Sequence, residues 1–329
     1  MQLLVVKISS LGDIVHTLPA LTDAVRANPG LRCDWLVERA FCEIPAWHPA
    51  VDRVIPCNLR TWRRQPLKTA FGGDWTAFRR ALGQRQYDCV IDAQGLVKSA
   101  WLARLARGPL AGPDRASACE PLAACFYSSR YPLPTHDAAH AVERTRRLFA
   151  QALGYPLPDL AAPPDAGLGT RRFPAPDLDG PYAIFLHGTT WSSKRWPLTH
   201  WRALGNAIAA PGLRVVLPWG NEAEHADAVA IAEGCNGFVL PQLGLTPLAG
   251  WLAQARLVVG VDTGLMHLAA ALGTPGISLY GPTLPQRTGA VGPNQVWLQN
   301  DEAATTIDRG RVLTIEPARV EREVARLLA

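Results

Sequence analysis

Short apolar runs recur along this chain, and most are followed by a stretch whose apolar residues recur at helical spacing. The runs of the first half lie near residues 3–6, 33–37, 52–56 and 87–92, and those of the second half near 182–186, 213–217, 238–240, 257–261 and 277–280. Strands that alternate regularly with helices form parallel sheets covered by helices on both faces. The chain is therefore predicted to be an α/β protein with Rossmann-like, doubly wound sheets.

A proline-rich segment separates the two halves of this alternation. Seven prolines and three glycines lie between Pro156 and Pro181, a composition that resists regular structure and is typical of a domain boundary. We predict an N-terminal domain over residues 1–160, a linker over 161–180, a second domain over 181–312 and a C-terminal helical segment over 313–329. The two domains are expected to face a central cleft, and the last helix to pack back on the N-terminal domain through Val320, Val324 and Leu327.

Composition excludes several classes of protein. With 48% hydrophobic and 19% charged residues, the chain is globular rather than disordered or fibrous. Its seven cysteines are scattered without a C-x-x-C pair, which argues against a disulfide framework. No run approaches the roughly 18 uninterrupted apolar residues of a membrane span, and Lys7 and Asp13 interrupt what would be the core of a signal peptide. These features predict a cytoplasmic protein.

The positive charge is confined to the first half of the chain. Residues 1–150 hold 20 lysines and arginines against 13 aspartates and glutamates, a net charge of +7, whereas residues 151–329 hold 13 against 15. This asymmetry predicts an anionic partner for the first domain, which leaves open nucleic acid, an acidic membrane surface or an acidic small molecule.

The loop after the first strand carries Lys7, Ser9, Ser10, Gly12 and Asp13. In open α/β sheets, ligands bind outside the carboxyl ends of the strands, so this loop is a candidate binding site. Serine and aspartate also cap helices, and a purely structural role for these residues is the alternative.

Two loops of the second domain are candidates for binding a nucleotide. The segment 187–197 combines the hydroxyls of Thr189 and Thr190 with Lys194, a set that suits a phosphate, although a capped surface loop ahead of Pro197 is equally consistent. Glu222 follows another strand, where a carboxylate can accept hydrogen bonds from ribose hydroxyls or can simply start a helix.

A third loop runs from a buried strand straight into a helix. The amides of Thr263, Gly264 and Leu265 would lie at the helix N-terminus, which is a favourable place for a diphosphate. The alternative is that Asp262 only caps the helix and that His267 is a histidine of the protein core with no binding role. The sequence contains neither G-x-G-x-x-G nor G-x-x-x-x-G-K-[ST], and no histidine or cysteine spacing typical of a transition metal. We therefore expect lysine, hydroxyls and helix dipoles to neutralise the diphosphate without a metal.

Two local predictions concern helices outside these loops. Thr246 followed by Pro247 predicts a helix start, with threonine as the cap. Residues 120–131 mix aromatic residues with Arg130 and predict a partly buried helix, with contact at a membrane interface as the alternative.

Taken together, the motifs resemble those of the lipopolysaccharide heptosyltransferases, and among these the heptosyltransferase I group. The resemblance covers nearly the whole chain and is carried by residues 7–13 with 16–24, 43–52, 91–96, 187–197 and 261–265. It implies a glycosyltransferase fold of the GT-B type.

The resemblance also implies an activity. It is the inverting, metal-independent transfer of L-glycero-D-manno-heptose from ADP-heptose to the first Kdo sugar of Kdo2-lipid A, a step of lipopolysaccharide inner-core synthesis in Gram-negative bacteria. No cofactor and no nucleic acid would take part, and the enzyme would lie on the cytoplasmic face of the inner membrane as a peripheral protein. The alternatives are a related heptosyltransferase II-like acceptor, or a non-catalytic binder of nucleic acid or acidic lipid.

Roles for individual residues follow from the same resemblance. Asp13 would be the general base, and Lys194 would stabilise the leaving diphosphate. The implied donor-binding residues are Ser9, Ser10, Gly12, Thr189, Thr190, Lys194, Glu222, Leu243, Asp262, Thr263, Gly264, Leu265 and His267. The implied acceptor-binding residues are Lys7, Arg60, Arg63, Arg64 and Arg144. Cys119 stands where a basic residue is expected, and Arg115 is a candidate replacement.

Overall fold

The computed structural model describes residues 1–64, 72–209, 212–300, 307–308, 310 and 312–329. The chain divides into two compact units between Arg171 and Arg172, inside the proline-rich segment. Each unit contains a six-stranded parallel sheet with helices between its strands, so the predicted pair of doubly wound α/β domains is confirmed.

The sheet of the first unit has the strand order β3-β2-β1-β4-β5-β6. The strands are β1 Gln2–Val6, β2 Arg32–Glu38, β3 Val51–Cys57, β4 Cys89–Asp92, β5 Leu110–Pro113 and β6 Ser129–Tyr131. The helices are α1 Leu11–Ala27, α2 Glu43–Ala46, α3 Leu59–Arg64, α4 Gly73–Gly83, α5 Val97–Ala103 and α6 Ala141–Leu153, with 3₁₀ turns at Arg39–Phe41 and Pro121–Phe126. The continuous apolar run of β1 is explained by its central place between β2 and β4, where four of its five residues are buried.

The sheet of the second unit has the order β12-β11-β10-β7-β8-β9. The strands are β7 Tyr182–Leu186, β8 Arg214–Leu217, β9 Phe238–Val239, β10 Leu257–Val261, β11 Gly276–Tyr280 and β12 Gln295–Gln299. The helices are α7 Leu198–Ala209, α8 Glu222–Cys235, α9 Leu245–Gln254, α10 Gly264–Ala271, α11 Pro285–Thr288 and α12 Pro317–Leu328, with a 3₁₀ turn at Ser192–Lys194.

Strand order reverses beside the first strand of each sheet. In the first unit β1 lies between β2 and β4, and in the second unit β7 lies between β8 and β10. The loops that follow β1 and β4 therefore leave one edge of their sheet together, as do the loops that follow β7 and β10 in the other sheet. These are the positions at which doubly wound sheets bind ligands.

The buried side chain of His48 fixes the segment between α2 and β3 against α1. Its Nδ1 accepts a hydrogen bond from the amide of Ala50 at 3.2 Å, and its Nε2 lies 3.1 Å from the hydroxyl of Thr22. An Nδ1 that accepts a hydrogen bond carries no proton, so the ring is neutral. Burial favours the same form and lowers the pKa of His48 to about 4.

Two local predictions are wrong. The helix expected over residues 120–131 is a 3₁₀ turn followed by β6, because Ser129–Tyr131 pair with the edge of β5. Helix α9 begins at Leu245 with Gly244 as its cap, so Thr246 lies inside the first turn and does not cap the helix.

The C-terminal helix packs within the second unit. Val320 and Val324 of α12 are buried in the core that contains Trp201 and Leu204 of α7. The expected packing of this helix on the N-terminal domain is not confirmed. In the described part of the chain, none of the helices has both the length and the apolar character needed to cross a bilayer.

Candidate active site

Asp13 lies at the start of α1 and forms part of its N-terminal cap. The amide and the hydroxyl of Ser10 both donate to Asp13 Oδ2, at 2.7 and 2.9 Å. The other carboxylate oxygen, Oδ1, lies 4.0 Å from Lys7 Nζ, and 38% of the Asp13 side chain is exposed. The cap therefore fixes the carboxylate through one oxygen, while the second oxygen lies toward Lys7.

The loop after β4 holds the loop after β1 in place. Lys7 Nζ donates to the carbonyl of Ala93 at 2.8 Å. The side-chain oxygen of Gln94 accepts from the amides of Ile8 and Ser9 at 3.1 and 3.2 Å. These hydrogen bonds fix the backbone before Asp13 to the loop that follows the neighbouring strand β4.

The loop after β4 is held in its conformation by Asp92, whose side chain is completely buried. Its carboxylate accepts hydrogen bonds from the amides of Gln94 and Gly95, the hydroxyl of Ser99 and the phenol of Tyr127. Burial raises the pKa of Asp92, and these four hydrogen bonds oppose the rise. Gly95 has a φ of +70°, a conformation that favours glycine.

A cluster of polar side chains lies near the same loop. One nitrogen of the buried Arg144, Nη2, donates to the carbonyl of Ser117 at 2.7 Å and lies 3.3 Å from Nε2 of His136. The exposed thiol of Cys119 lies 3.6 Å from that same Nε2. Burial lowers the pKa of Arg144. Its other nitrogen, Nη1, is buried and has no hydrogen-bond partner in the described part of the chain.

The electrostatics of Cys119 connect this cluster to the loop of Asp13. Desolvation raises the pKa of the Cys119 thiol, the positive charges of Lys7 and Arg144 lower it, and the negative charge of Asp13 raises it. The measured contacts pair Lys7 with Asp13 at 4.0 Å and place the Cys119 thiol and Arg144 Nη2 at the same nitrogen of His136. The charges of Lys7, Asp13 and Arg144 thus act on one thiol, although the three residues come from distant parts of the sequence.

The remaining predicted acceptor residues are not brought into this cluster by any described contact. Arg60 and Arg64 are exposed on α3. The side chain of Arg63 and residues 65–68 of the basic segment lie outside the described residues. Arg115 is exposed as well.

In the second unit, Lys194 and Asp262 form a largely buried ion pair. Lys194 Nζ lies 2.6 Å from Asp262 Oδ2, and the two side chains are 14% and 10% exposed. The same ammonium lies 4.4 Å from the ring centre of Trp191, within range of a cation–π interaction. The 3₁₀ turn that carries Lys194 follows β7 and Asp262 follows β10, so the pairing of these two strands brings both residues to one sheet edge.

Asp262 has further neighbours. The hydroxyl of Thr283 donates to Asp262 Oδ2 at 2.8 Å, and His267 Nε2 lies 3.9 Å from Oδ1. Thr263, rather than Asp262, occupies the cap position of α10, and its own side chain makes no capping hydrogen bond. The first amides of α10 are the donors that a helix N-terminus offers to an anion, and they lie next to Asp262, the partner of Lys194.

The start of α8 packs against the loop after β7. Asn221 caps the helix by accepting from the amide of Glu224 at 3.0 Å, and Glu222 is exposed in the first turn. Glu224 accepts from the amide of Gly220 at 2.8 Å. A Cβ at Gly188 would lie 2.6 Å from the carboxyl carbon of Glu224, so a larger residue there would require the Glu224 side chain to move.

The other predicted donor residues lie along the same part of the second unit. Thr189 is half-buried and Thr190 is exposed in the loop after β7, and Leu243 is half-buried between β9 and α9. Gly264 and Leu265 form the half-buried first turn of α10.

A model of glycosyltransferase family 9 (heptosyltransferase) matches residues 75–316. The chain belongs to this family. Lipopolysaccharide heptosyltransferase 1 of Pseudomonas aeruginosa is 54% identical over 303 residues, which cover 92% of this chain and 84% of that relative. The protein of the same name from Escherichia coli K12 is 48% identical, over 90% of this chain and 92% of its own.

A solved structure agrees with this membership. The E. coli heptosyltransferase WaaC with ADP superimposes with a TM-score of 0.90 at 44% sequence identity, and the match covers 99% of this chain and 100% of that one. The prediction of a GT-B glycosyltransferase fold is confirmed, and the family identifies the chain as a glycosyltransferase.

The sequence did not reveal the structural roles of two residues that support the candidate site, Thr283 and Asp92. Thr283 lies in the loop after β11, the neighbour of β10, so it reaches the same sheet edge as Asp262. The available sequence signal for Thr283 was its position three residues after the strand predicted over 277–280, where a hydroxyl can reach the binding edge of the sheet. Asp92 was noted as part of a motif, but its role in holding the loop of Gln94 depends on contacts that spacing does not show.

Among the described residues, no group of three or more histidine, cysteine, aspartate or glutamate side chains has an arrangement that would hold a metal ion. The prediction that transfer needs no metal concerns the reaction itself, so it stays a prediction.

Proposed function

We propose that this glycosyltransferase transfers L-glycero-D-manno-heptose from ADP-heptose to the first Kdo of Kdo2-lipid A, with inversion at the anomeric carbon, in lipopolysaccharide inner-core synthesis. The observation that carries the proposal is the buried Lys194–Asp262 pair beside the N-terminus of α10. It combines a mobile cation, a carboxylate and free amides in one place. Relatives named lipopolysaccharide heptosyltransferase 1, and a WaaC structure with ADP-2-deoxy-2-fluoro heptose, support this choice of donor.

On binding, the diphosphate of the donor would replace Asp262 as the counter-ion of Lys194. The amides of Thr263, Gly264 and Leu265 and the hydroxyls of Thr189 and Thr190 would complete its binding site. As the bond between the anomeric carbon and the diphosphate breaks, negative charge grows on ADP, and Lys194 stabilises it.

The remaining donor residues would bind the two ends of the nucleotide sugar. Asp262, released from Lys194, and the nearby His267 would accept and donate hydrogen bonds to heptose hydroxyls. Glu222 would bind the ribose hydroxyls, and Leu243 would give apolar contact to the nucleoside. Ser9, Ser10 and Gly12 would contact the donor from the loop that carries Asp13.

Asp13 would act as the general base. A Kdo hydroxyl within hydrogen-bond reach of Oδ1 would give its proton to Asp13 while its oxygen attacks the anomeric carbon from the side opposite the diphosphate. One carbon–oxygen bond forms, another breaks, ADP leaves with the electron pair, and the anomeric configuration inverts.

The acceptor's charges match the basic first unit. Lys7, which lies beside Asp13, and Arg144, whose charge acts on the same Cys119 thiol as that of Asp13, would bind a Kdo carboxylate. Arg60, Arg63 and Arg64 would meet the phosphates of lipid A. Because the acceptor is a membrane lipid, the enzyme would work as a peripheral protein on the cytoplasmic face of the inner membrane.

The test is to incubate the protein with ADP-heptose and Kdo2-lipid A, with and without a chelator, and to measure ADP release and the mass of the lipid. We expect equal yields of singly heptosylated lipid in both samples, and nuclear magnetic resonance of the product should show the inverted anomer. Transfer only to a lipid that already carries one heptose would instead indicate a heptosyltransferase II-like acceptor. Strong, salt-dependent binding to random DNA without affinity for any nucleotide sugar would replace the proposal with a non-catalytic binder.

A further inference from the structure

Two tryptophans of neighbouring helices stack on each other at the surface of the first unit. The rings of Trp75 in α4 and Trp101 in α5 are nearly parallel, with centres 5.7 Å apart and an angle of 5° between their planes. Trp101 is 46% exposed, which is unusual for so large an apolar side chain.

The stack rests on a rigid aromatic base. Trp75 contacts Trp62 edge-on at 5.1 Å and stacks on Phe78 at 5.4 Å, and both of these rings are buried in the core of the first unit. The outer indole is therefore held in one place by packing. Leu122, which is 64% exposed, lies on the 3₁₀ turn that packs against α5.

Three cations lie at helical spacing from the two tryptophans. Arg79 follows Trp75 by four residues, and Lys98 and Arg104 lie three residues before and after Trp101, spacings that place each cation beside an indole on a helix. No ion pair of Arg79, Lys98 or Arg104 occurs with another described residue. Asp74, the acidic residue of α4, is already bound by Arg39, Asn58 and Trp62.

We infer that the tryptophan–cation surface, formed by Trp75, Trp101, Leu122, Arg79, Lys98 and Arg104, docks the enzyme on a bilayer that contains anionic lipids. Indoles prefer the boundary between headgroups and acyl chains, where one part of the ring is buried and the other meets water. Unpaired lysines and arginines next to such a ring bind anionic headgroups, and each contributes about fivefold to membrane partitioning. This inference extends the proposed function, whose acceptor is a membrane lipid.

The charge pattern favours a bilayer over a protein partner. Stable protein interfaces place aromatic residues in a core that is depleted of lysine, with charges at the rim. Here Lys98 and Arg104 flank the exposed indole on one short helix whose other face is buried in the protein core, so the cations lie beside the aromatic centre of the surface rather than at a distant rim.

The test is co-sedimentation of the full chain with vesicles of phosphatidylcholine, with and without phosphatidylglycerol. We expect the wild type to bind the anionic vesicles, with a blue shift of its tryptophan fluorescence. Trp101→Ala should weaken this binding about tenfold, and the double change Lys98→Glu with Arg104→Glu should abolish the dependence on phosphatidylglycerol. Matched controls on the second unit are Trp297→Ala, which removes another partly exposed tryptophan, and Arg322→Glu; both should bind as the wild type does.

The inference is overturned if the wild type binds neutral and anionic vesicles equally, binds neither, or if both surface variants bind anionic vesicles as well as the wild type. Loss of binding to random DNA in these variants, without vesicle binding by the wild type, would also overturn it. Turnover of ADP-heptose on a soluble, deacylated Kdo acceptor tests the proposed function separately. We expect the surface variants to keep the wild-type rate there, whereas absence of transfer by the wild type would contradict the proposed function and leave the vesicle result standing.

Discussion

Lys194 Nζ lies 2.6 Å from Oδ2 of Asp262, so the proposed diphosphate ligand and a carboxylate of the protein compete for one ammonium group. Thr283 donates to the same oxygen and, in the proposed mechanism, would keep the carboxylate oriented when the lysine leaves it.

Replacing Lys194 with methionine should lower kcat/KM for ADP-heptose by about 100-fold, since a charge-assisted contact to the leaving diphosphate is lost. Steady-state kinetics at varied donor concentration measure the effect. Arg195→Met is the matched control, because the neighbouring Arg195 pairs with Asp227 instead. Undiminished kcat/KM in Lys194→Met would remove Lys194 from the donor site.

Replacing Asp13 with asparagine should reduce kcat by at least about 100-fold, while ADP-heptose still binds, because the base is lost and the donor contacts remain. Asparagine can still accept the hydrogen bonds of Ser10, so the melting temperature should change little. Single-turnover ADP release and calorimetric titration of the donor give the two readouts. Ser10→Ala, which removes one of the bonds to Asp13, measures the contribution of the cap hydroxyl together with its proposed contact to the donor. If Asp13→Asn turned over at the wild-type rate, Asp13 would not be the base.

Replacing Thr283 with valine, which keeps the shape but removes the hydroxyl, should lower kcat/KM for the donor about tenfold. A hydrogen bond to a charged group contributes about 1.5 to 3 kcal/mol, and its loss lets Asp262 turn away from its working orientation. Thr283→Ser restores the hydroxyl and should recover most of the activity. A purely packing role for Thr283 would give the opposite order, with valine better tolerated than serine.

Stability should fall as the pH drops from about 6.5 to 4 because of His48. Its ring is neutral in the folded protein, where burial lowers its pKa to about 4, but it takes up a proton in the unfolded chain below about pH 6.5. The unfolded state then binds more protons, so acid favours it, and the loss approaches about 3 kcal/mol at pH 4. Urea unfolding measured at a series of pH values tests this.

The matched variants for this titration are His48→Asn and His225→Asn. The first removes the titrating ring while an amide oxygen can still accept from Ala50, so it should flatten the dependence between pH 6.5 and 4. The second changes a partly exposed ring beside Trp219 in the other unit and is the control for replacing a histidine by asparagine. An unchanged slope in His48→Asn would show that other groups cause the acid sensitivity.

The sequence predicted the central strands best, since a strand covered on both faces has a continuous apolar run. Such runs marked β1 and β10. It did not reveal β5, β6 or β12. These strands lie at or near sheet edges, are short or carry polar residues such as Gln295 and Gln299, and owe their conformation to pairing with a neighbour.

The sequence was sufficient to predict which loops form the candidate site, but not which side chains within those loops contact one another. Topology places Asp13, Lys194 and Asp262 at carboxyl ends of strands, and strand patterns are visible in the sequence. The partners Thr283 and Asp92, in contrast, act through side-chain hydrogen bonds between loops that are far apart in the chain. The basic composition of the first half predicted an anionic partner, but only the structure distinguishes Arg144, buried beside His136, from Arg60 and Arg64 on the surface of α3.

In the proposed donor site, the internal counter-ion of Lys194 would also limit which anions can bind. Chloride or a singly charged phosphate offers this ammonium no more charge than Asp262 already does, and would leave that carboxylate buried without a partner. A nucleoside diphosphate brings more than one negative charge and also reaches the amides of α10. In the proposed site, the resting ion pair would therefore disfavour the abundant small anions of the cell and favour a ligand whose charge and length are both sufficient.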